Sequence, residues 1–291
     1  WLLYVFLLPP LYFMKKKMLQ KNFKVTANNK IKGEYFKLAL DAPDIASIAK
    51  PGQFVMVEVD KNLTPLLRRP MSIHSVKKDK IEILYEVLGQ GTQILAQKKP
   101  GEYLNLIGPV GNGVEITKAD NKSSILVAGG MGVAPLFFLA EKLVHSQQPI
   151  VNSKIRVLIG AKTKNRILCE KEFKRLGCDV KIATDDGSRG FKGPVTELLE
   201  QTLSSANSKI SHICACGPRP MLKPVAYIAS KYNIEASASF EAHMACGIGA
   251  CMGCVIQIKD ATIYNKEGFV YQRVCKDGPV FALNQAIWGE G

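Results

Sequence analysis

The chain has 291 residues, of which 47% are apolar and 22% charged, so it is long enough for two or three folded domains and too apolar for a disordered chain. Its formal net charge of +14 would suit a nucleic-acid-binding protein, but the lysines are scattered and no basic block is interleaved with aromatic residues. We therefore expect a solvated, lysine-rich surface, although a basic face can also attract an acidic partner or a dinucleotide.

The first 17 residues are an apolar run followed by lysines. The stretch WLLYVFLLPPLYFM is short for a bilayer span, and Pro9 and Pro10 interrupt any helix. A secretory signal would carry its positive charges before the apolar run and not after it. We expect residues 1–17 to be a non-native or disordered leader, with translation starting at Met14 or Met18, and not a membrane anchor.

Residues 18–115 consist of short runs rich in β-forming residues and bounded by turn residues. The runs are NFKVTANNKI, EYFKLAL, GQFVMVEV, RRPMSIHSV and KIEILYEVL. A short helix is expected at TQILAQK, and the Gly- and Pro-rich stretch IGPVGNG (107–113) is expected to be a loop. This pattern predicts a closed antiparallel β-barrel.

From residue 120 to residue 232, apolar strands alternate with amphipathic helices. The strands are expected at SSILVAG, KIRVLIGAK, CDVKIAT and SHICAC, and a helical segment follows each of them. Strict alternation predicts a Rossmann-like parallel sheet with helices on both faces. Residues 233–291 hold a cysteine-rich stretch and an expected hairpin within CVIQIKDATIYNKEGFVYQRVC, and we expect them to form a small third domain.

Two short motifs in the first section could bind a phosphate. Arg69, Pro70, Met71 and Ser72 form the sequence RPMS, in which a strand-borne guanidinium offers a fork to a phosphate and the serine hydroxyl can meet a flavin ring. Gly89 to Thr92 follow a strand and open a helix, where backbone N–H groups can bind an anion. Each motif is also typical of an ordinary turn, so neither decides the function alone.

Two glycine-containing motifs follow strands of the second section, at the edge where open parallel sheets bind ligands. They contain Gly129, Gly130 and Gly132 in the first motif and Gly217, Pro218 and Met221 in the second. Glycine at such a turn lets a dinucleotide pyrophosphate approach the backbone and the helix N-terminus. Asp185 and Asp186 end another strand and could accept hydrogen bonds from ribose hydroxyls, which would favour NAD over its phosphorylated form, although an Asp-Gly turn explains them equally well.

The eight cysteines fall into two groups. Cys169, Cys178, Cys214 and Cys216 have apolar or helical neighbours, which is typical of buried free thiols in a reducing compartment. The other four are Cys246, Cys251, Cys254 and Cys275.

Within ACGIGACMGC, four and two residues separate the first three of these cysteines, and the fourth follows the hairpin. This is the spacing of plant-type 2Fe-2S sites, and the small residues between the cysteines would let backbone N–H groups approach the sulfides. Zinc and disulfides are the alternatives. Structural zinc usually pairs two C-x-x-C knuckles, and disulfides are rare in a chain without a secretion signal.

RPMS, GGMGVAP and CGPRPM, in this order along a barrel and a parallel sheet, resemble the ferredoxin-reductase superfamily over about residues 18–232. The appended ACGIGACMGC and VCKDGPVF narrow the resemblance to the electron-transfer (iron–sulfur) subunits of NAD-dependent dihydroorotate dehydrogenase B, nearly to the end of the chain. The gap between Cys254 and Cys275 is longer than is usual in that family, and we interpret it as a longer hairpin.

The resemblance implies three cofactor sites. The residues implied for FAD are Arg69, Pro70, Met71, Ser72, Leu84, Tyr85, Glu86, Gly91 and Thr92. Those implied for NAD are Gly129, Gly130, Gly132, Gly217, Pro218 and Met221. The ligands implied for the 2Fe-2S cluster are Cys246, Cys251, Cys254 and Cys275.

The resemblance also implies a partner, an FMN-containing dihydroorotate dehydrogenase catalytic subunit, in a cytoplasmic heterotetramer of two plus two chains without stable membrane insertion. Electrons would pass from the partner through the cluster and FAD to NAD, within pyrimidine biosynthesis. We expect no acid–base catalytic residue in this chain, and we expect His74 to be a polar neighbour of the flavin motif. His243, just before the cysteines, could tune the potential of a cluster, but we expect a solvent-facing loop histidine. The alternatives are a related NAD(P)H:ferredoxin or sulfur-reductase subunit and a non-catalytic zinc-binding module.

Overall fold

The computed structural model describes residues 18–60, 64–114, 116, 123–146, 155–205, 210–259 and 268–289. The leader expected over residues 1–17 lies outside these ranges. Within them, the chain forms two seven-stranded sheets and one two-stranded hairpin. None of the helices in these ranges is both long enough and apolar enough to cross a membrane.

The first sheet is antiparallel throughout. Its strands are β1 (Leu19–Lys32), β2 (Tyr35–Asp41), β3 (Phe54–Glu58), β4 (Arg69–Ser72), β5 (Ser75–Lys77), β6 (Lys80–Glu86) and β7 (Tyr103–Val110). They lie in the order β4-β3-β7-β1-β2-β6-β5, and two short helices, α1 (Pro43–Ala46) and α2 (Gln90–Ala96), connect them. Buried apolar side chains such as Leu38, Val55 and Ile83 fill the interior, as expected for β-forming runs with one face turned inward.

One bent segment joins the two edges of this sheet. The segment 69–77 pairs with β3 through β4 and with β6 through β5. At the bend, Ile73 N donates to Gln53 O at 3.1 Å and His74 N donates to Glu82 O at 2.8 Å. The predicted antiparallel architecture is therefore confirmed, as a half-barrel and not as the closed barrel expected, because the edge strands β4 and β5 pair with β3 and β6 and not with each other.

The prediction of a loop over residues 107–113 is wrong for residues 107–110, because β7 continues through Ile107 to Val110. This segment lies between β1 and β3 and pairs with both. A Cβ on Gly108 would lie 2.7 Å from Cγ1 of Val55. The glycine that suggested a turn therefore allows the close approach of a neighbouring strand.

The remaining elements follow in chain order. The strands are β8 (Ser124–Gly129), β9 (Arg156–Ala161), β10 (Asp179–Thr184), β11 (Phe191–Lys192), β12 (His212–Cys216), β13 (Glu235–Ser239), β14 (Val255–Lys259), β15 (Phe269–Arg273) and β16 (Val280–Ala282). The helices are α3 (Val133–Ser146), α4 (Glu170–Arg175), α5 (Val195–Ser204) and α6 (Arg219–Lys231).

The second sheet has the order β11-β10-β9-β8-β12-β13-β16. All its neighbouring strands pair in parallel except β13 and β16, which confirms the predicted Rossmann-like parallel sheet. The boundary expected at residue 232 falls inside this sheet, since β13 and β16 both belong to it. Phe240 directly follows β13 and Phe281 lies in β16. Both pack into the same apolar cluster as Ile213 and Val225.

The C-terminal cysteines lie beside the hairpin of β14 and β15, in which Val255 pairs with Arg273 and Lys259 with Phe269. The hairpin shares an apolar core with both sheets. Met56 of the first sheet, Ile213 of the second and Val274 beside the hairpin belong to one buried cluster. This common core places the cysteines next to both sheets.

Candidate functional site

The sequence RPMS forms the whole of β4, where Arg69 pairs with Val57 and Pro70 pairs with Met56. The guanidinium of Arg69 lies against the first turn of α2. A Cβ on Gly91 would be only 2.6 Å from Nε of Arg69, and Nη1 of Arg69 donates to Leu67 O. Gly91 therefore leaves the space that the guanidinium fills, and the two predicted phosphate motifs meet at this point.

The hydroxyl of Thr92 shapes the loop before α2. It accepts hydrogen bonds from the backbone N–H of Leu88 at 2.9 Å and Gly89 at 3.2 Å, and it donates to Gly89 O at 3.0 Å. Thr92 thus folds the loop back on itself beside Arg69. A phosphate at this place would meet the arginine and the loop backbone.

The residues at the end of β6 already have protein partners. The hydroxyl of Tyr85 donates to Oδ1 of Asn28 at 3.0 Å inside the half-barrel, and burial raises the pKa of Tyr85 to about 12. Glu86 forms an ion pair with Arg166, with 3.4 Å between Oε1 and Nη1, and Leu84 is buried against the core of the second sheet. The side chain of Tyr85 points into the half-barrel, so its backbone is the part that a flavin would contact.

The two glycine motifs of the second sheet lie side by side at the carboxyl ends of β8 and β12. A Cβ on Gly132 would be 1.9 Å from Cys216 O, and a Cβ on Gly129 would be 2.6 Å from Sδ of Met221. Gly130 has a φ of +55°, and apart from its chain neighbours no residue in the described ranges has an atom within 4 Å of the place where its Cβ would be. Packing therefore accounts for Gly129 and Gly132, whereas Gly130 borders open space that a dinucleotide could occupy.

Asp185 and Asp186 are exposed at the end of β10. Oδ1 of Asp186 accepts hydrogen bonds from Ser188 N at 3.0 Å and Ser188 Oγ at 2.6 Å, and these bonds lower the pKa of Asp186. Asp186 therefore caps its own turn, and Asp185 is the better placed of the two to meet a ribose.

The four C-terminal cysteines come together as two pairs. The side chains of Cys246 and Cys251 interact with each other, as do those of Cys254 and Cys275, and Cys246 is also near enough to raise the pKa of Cys275. A 2Fe-2S cluster has four thiolate ligands, two for each of its two irons. The pairing of these four thiols fits that demand.

Backbone N–H groups point at the sulfur atoms. Cys251 N donates to Sγ of Cys246, Gly253 N to Sγ of Cys251, and Cys275 N to Sγ of Cys254, each at 3.4 Å. Partial burial works against ionisation of Cys246, but backbone donors that include Ile248 N–H and Cys251 N–H bring its pKa below the usual value. Such donors stabilise the negative charge of ligating thiolates.

The second pair is buried, with Cys254 3% and Cys275 0% exposed. Burial and the neighbouring Cys254 raise the pKa of Cys275. A bound metal cation would favour its thiolate form. In the part of the chain that the structure describes, no group of three or more His, Cys, Asp or Glu side chains converges on a single metal ion. Among the described thiols, Cys246 interacts with Cys251 and Cys254 interacts with Cys275.

The cysteine loop, residues 246–254, is seated directly on β3. Gly247 has a φ of +69°, and a Cβ there would be 2.4 Å from Sδ of the buried Met56, the cross-strand neighbour of Pro70. A cavity of about 480 Å³ lies beside this contact, with Arg69 and Pro70 on one wall and Met244 and Gly253 on the other. The predicted flavin strand and the predicted cluster ligands are thus brought together.

Two positions of the site escaped the sequence reasoning. Met56 has the ordinary pattern of a core residue of β3, and no local signal marks its contact with Gly247. Arg273 bonds to Asp277 and to the cysteine loop. The sequence feature that could have indicated this bond is that Arg273 and Asp277, which have opposite charges, lie two residues before and two residues after Cys275.

Two parts of the chain match families of known proteins. Residues 241–286 match the family described as the iron–sulfur cluster binding domain of dihydroorotate dehydrogenase B, and residues 126–226 match the oxidoreductase NAD-binding domain. A solved structure, described as "Insights into flavin-based electron bifurcation via the NADH-dependent reduced ferredoxin-NADP oxidoreductase structure", superimposes with a TM-score of 0.77 at 26% identity, over 91% of this chain and 90% of that one.

Two curated relatives are named dihydroorotate dehydrogenase B (NAD(+)), electron transfer subunit. The protein from Desulforamulus reducens is 38% identical over 91% of this chain and 97% of its own length. The protein from Caldanaerobacter subterraneus subsp. tengcongensis is 37% identical over 91% of this chain and 97% of its own length. The chain belongs to the family of dihydroorotate dehydrogenase B electron transfer subunits.

Proposed function

We propose that this chain carries electrons from an FMN-containing dihydroorotate dehydrogenase catalytic subunit to NAD+, through a 2Fe-2S cluster and FAD, as a step of pyrimidine biosynthesis. The observation that carries the proposal is that the loop with the thiol pairs lies next to the RPMS strand. Gly247 of the loop packs on Met56, and Met56 pairs with Pro70 of that strand. It occurs in a chain that is 38% identical to an electron transfer subunit along 97% of that protein.

Cys246, Cys251, Cys254 and Cys275 would hold the cluster, and the backbone N–H groups aimed at their sulfurs would stabilise its charge. When bound, the cluster would supply one-electron transfer, and the flavin would convert between single electrons and the hydride that NAD+ accepts. The chain itself supplies position. The contact of the cysteine loop with β3 keeps the two cofactor sites adjacent.

Arg69 would bind the diphosphate of FAD, with the backbone beside Gly91 as a second contact. Pro70 and Ser72, which are partly exposed on β4, would then flank the flavin. The side chain of Met71 is buried in the half-barrel core, so only its backbone would do so, together with the backbone at the end of β6. The open backbone at Gly130 would receive NAD, with Gly217, Pro218 and Met221 beside it.

The assembly we propose is a heterotetramer of two electron-transfer and two catalytic chains in the cytoplasm. All eight cysteines are free thiols, which is usual for proteins of a reducing compartment. Co-purification with the catalytic chain, followed by measurement of the mass of the complex, tests the assembly. Cell fractionation tests the location.

The decisive test is cofactor analysis of protein purified without oxygen, followed by reconstitution with a catalytic chain. We expect about two irons, two acid-labile sulfides and one FAD per chain. The reconstituted complex should reduce NAD+ only when dihydroorotate is present.

Zinc without iron, or a colourless protein from iron-supplied cells, would contradict the cluster assignment. A protein that carries both cofactors and reduces ferredoxin with NADH, but does not couple to dihydroorotate oxidation, would instead support the related reductase function.

A further inference from the structure

Arg273 ends β15 and lies two residues before Cys275. Its Nε and its backbone N both donate to Oδ2 of Asp277 at 2.8 Å, and its Nη2 donates to Oδ1 at 3.0 Å. The two side chains are only 25% and 29% exposed. A planar guanidinium held by both oxygens of one carboxylate has a fixed orientation, so Asp277 fixes the direction of the third guanidinium nitrogen of Arg273, Nη1.

That remaining donor reaches the cysteine loop. Nη1 of Arg273 donates to the backbone carbonyl of Gly249 at 3.1 Å. Gly249 has a φ of +85° and lies between Cys246 and Cys251. At the other end of the loop, Val274 N donates to Cys254 O at 3.0 Å. The loop is therefore joined to the turn around Cys275 by a backbone bond at one end and by Arg273 at the other.

The contact links the two halves of the thiol set. The first pair, Cys246 and Cys251, lies on the segment whose carbonyl Arg273 binds, and Cys275 of the second pair lies on the turn that carries Arg273. The guanidinium of Arg273, which is always charged in proteins, lies near the sulfurs of Cys275 and Cys254. Asp277 offsets much of that charge, so geometry is the larger expected effect.

We propose that Arg273, aimed by Asp277, is a positioning residue for the iron–sulfur cluster. It holds the first thiol pair at the correct distance from the second by binding Gly249 O. The proposal rests on the proposed cluster ligation. It assigns to these two residues the role that partners of metal ligands have in other metal sites, where their loss costs about 10- to 100-fold in metal affinity or activity.

The test compares Arg273→Gln, Arg273→Lys and Asp277→Asn with the wild-type protein, all purified without oxygen. The control is Lys259→Gln, which removes one exposed positive charge from the same hairpin. The measurements are the rate at which an iron chelator bleaches the cluster absorbance, the EPR spectrum and midpoint potential of the cluster, and the FAD content.

We expect Arg273→Gln to lose iron about 10-fold faster than wild type, with altered EPR g-values and a more negative potential. Arg273→Lys keeps the charge but not the fork, so it should lose iron at an intermediate rate with a potential near that of wild type. Asp277→Asn should also lose iron faster. FAD content should not change in any variant, and Lys259→Gln should match wild type.

Wild-type rates of iron loss and wild-type EPR spectra in all three variants would overturn the positioning role. If Arg273→Gln assembles no cluster, the comparison rests on Arg273→Lys and Asp277→Asn, and wild-type behaviour in both of these would overturn it equally. Failure of the wild-type protein to bind iron is a separate result, because it refutes the proposed cluster itself.

Discussion

Arg69 illustrates how one side chain and one missing side chain form a candidate site. The guanidinium occupies the space that a Cβ on Gly91 would need, so both residues are required for the arginine to lie beside the loop. The nearby Arg68 is used differently. Its guanidinium donates to the backbone and side-chain oxygens of Asn105 and pairs with Glu58. The roles of these two neighbouring arginines can therefore be distinguished by substituting each of them.

We predict that Arg69→Ala raises the Kd for FAD by about 10-fold or more, since a charge-assisted hydrogen bond contributes about 1.5–3 kcal/mol. Fluorescence titration of the apoprotein with FAD measures this change. Arg68→Ala is the matched control and should leave the Kd near the wild-type value. An equal loss of affinity in the two variants would show that Arg69 has no special role in FAD binding.

Cys251 is the exposed member of its thiol pair, so its replacement should not disturb the core. We predict that Cys251→Ser abolishes cluster assembly and transfer to the partner, but spares FAD binding and NADH oxidation by artificial acceptors. Iron analysis and the visible spectrum measure the outcome. Cys214→Ser, on β12, should keep its iron. Full cluster absorbance in Cys251→Ser would mean that this ligand is wrongly assigned.

Among the structural elements, the cysteine loop and β3 meet where the predicted cluster ligands lie beside the predicted flavin strand. Gly247 and Gly268 both have a φ of +69°, but only the Cβ position of Gly247 is blocked, by Met56. Among the described residues other than its chain neighbours, none has an atom within 4 Å of the Cβ position of Gly268. The two glycines therefore share a backbone requirement and differ in packing.

We predict that Gly247→Ala and Gly268→Ala each destabilise the protein by about 1–2 kcal/mol through the left-handed backbone. Gly247→Ala should cost more and should also release iron faster, because it pushes the loop away from Met56. Thermal unfolding and the rate of chelator bleaching measure the two effects. Equal behaviour of the two variants would mean that the contact with Met56 does not position the cluster.

At the scale of the whole molecule, His74 joins the half-barrel to the parallel sheet. Its ring is fully buried, stacks on Phe137 with 4.7 Å between ring centroids, and donates from Nδ1 to Ala134 O at 3.0 Å, at the start of α3. Among the described residues, nothing is hydrogen-bonded to its Nε2. Burial lowers its pKa to about 3, with smaller contributions from Lys37 and Lys77, so the ring stays neutral at the junction.

We predict that His74 makes the protein sensitive to mild acid. Because its folded-state pKa of about 3 lies below the ordinary 6.5, the unfolded chain binds the proton first as the pH falls, and stability is lost from about pH 6.5 downward. Between pH 7 and pH 5 this loss is about 2 kcal/mol. Urea unfolding at both pH values should show it in the wild-type protein but not in His74→Gln. The same pH dependence in both proteins would contradict the prediction.

Local patterns in the sequence determined the two sheets and the nature of the cysteine site. Alternating strands and helices predict a parallel sheet because each element must bury an apolar face, and that requirement appears in residues a few positions apart. The spacing of Cys246, Cys251 and Cys254 likewise predicts a 2Fe-2S cluster, because one loop supplies three of its ligands. Local patterns gave a wrong prediction at Gly108, because glycine is typical of turns but here allows a neighbouring strand to approach closely.

Only the tertiary structure decided which groups meet across the molecule. The hydroxyl of Tyr85 points to Asn28 inside the half-barrel, β13 and β16 extend the parallel sheet, and Gly247 contacts Met56. These contacts join segments far apart in the chain, and they depend on strand order and on how closely two backbones can approach. A pattern of residues that are neighbours in the sequence does not indicate how closely two distant backbone segments approach. Tertiary packing alone therefore decided how the candidate cluster and flavin sites lie together.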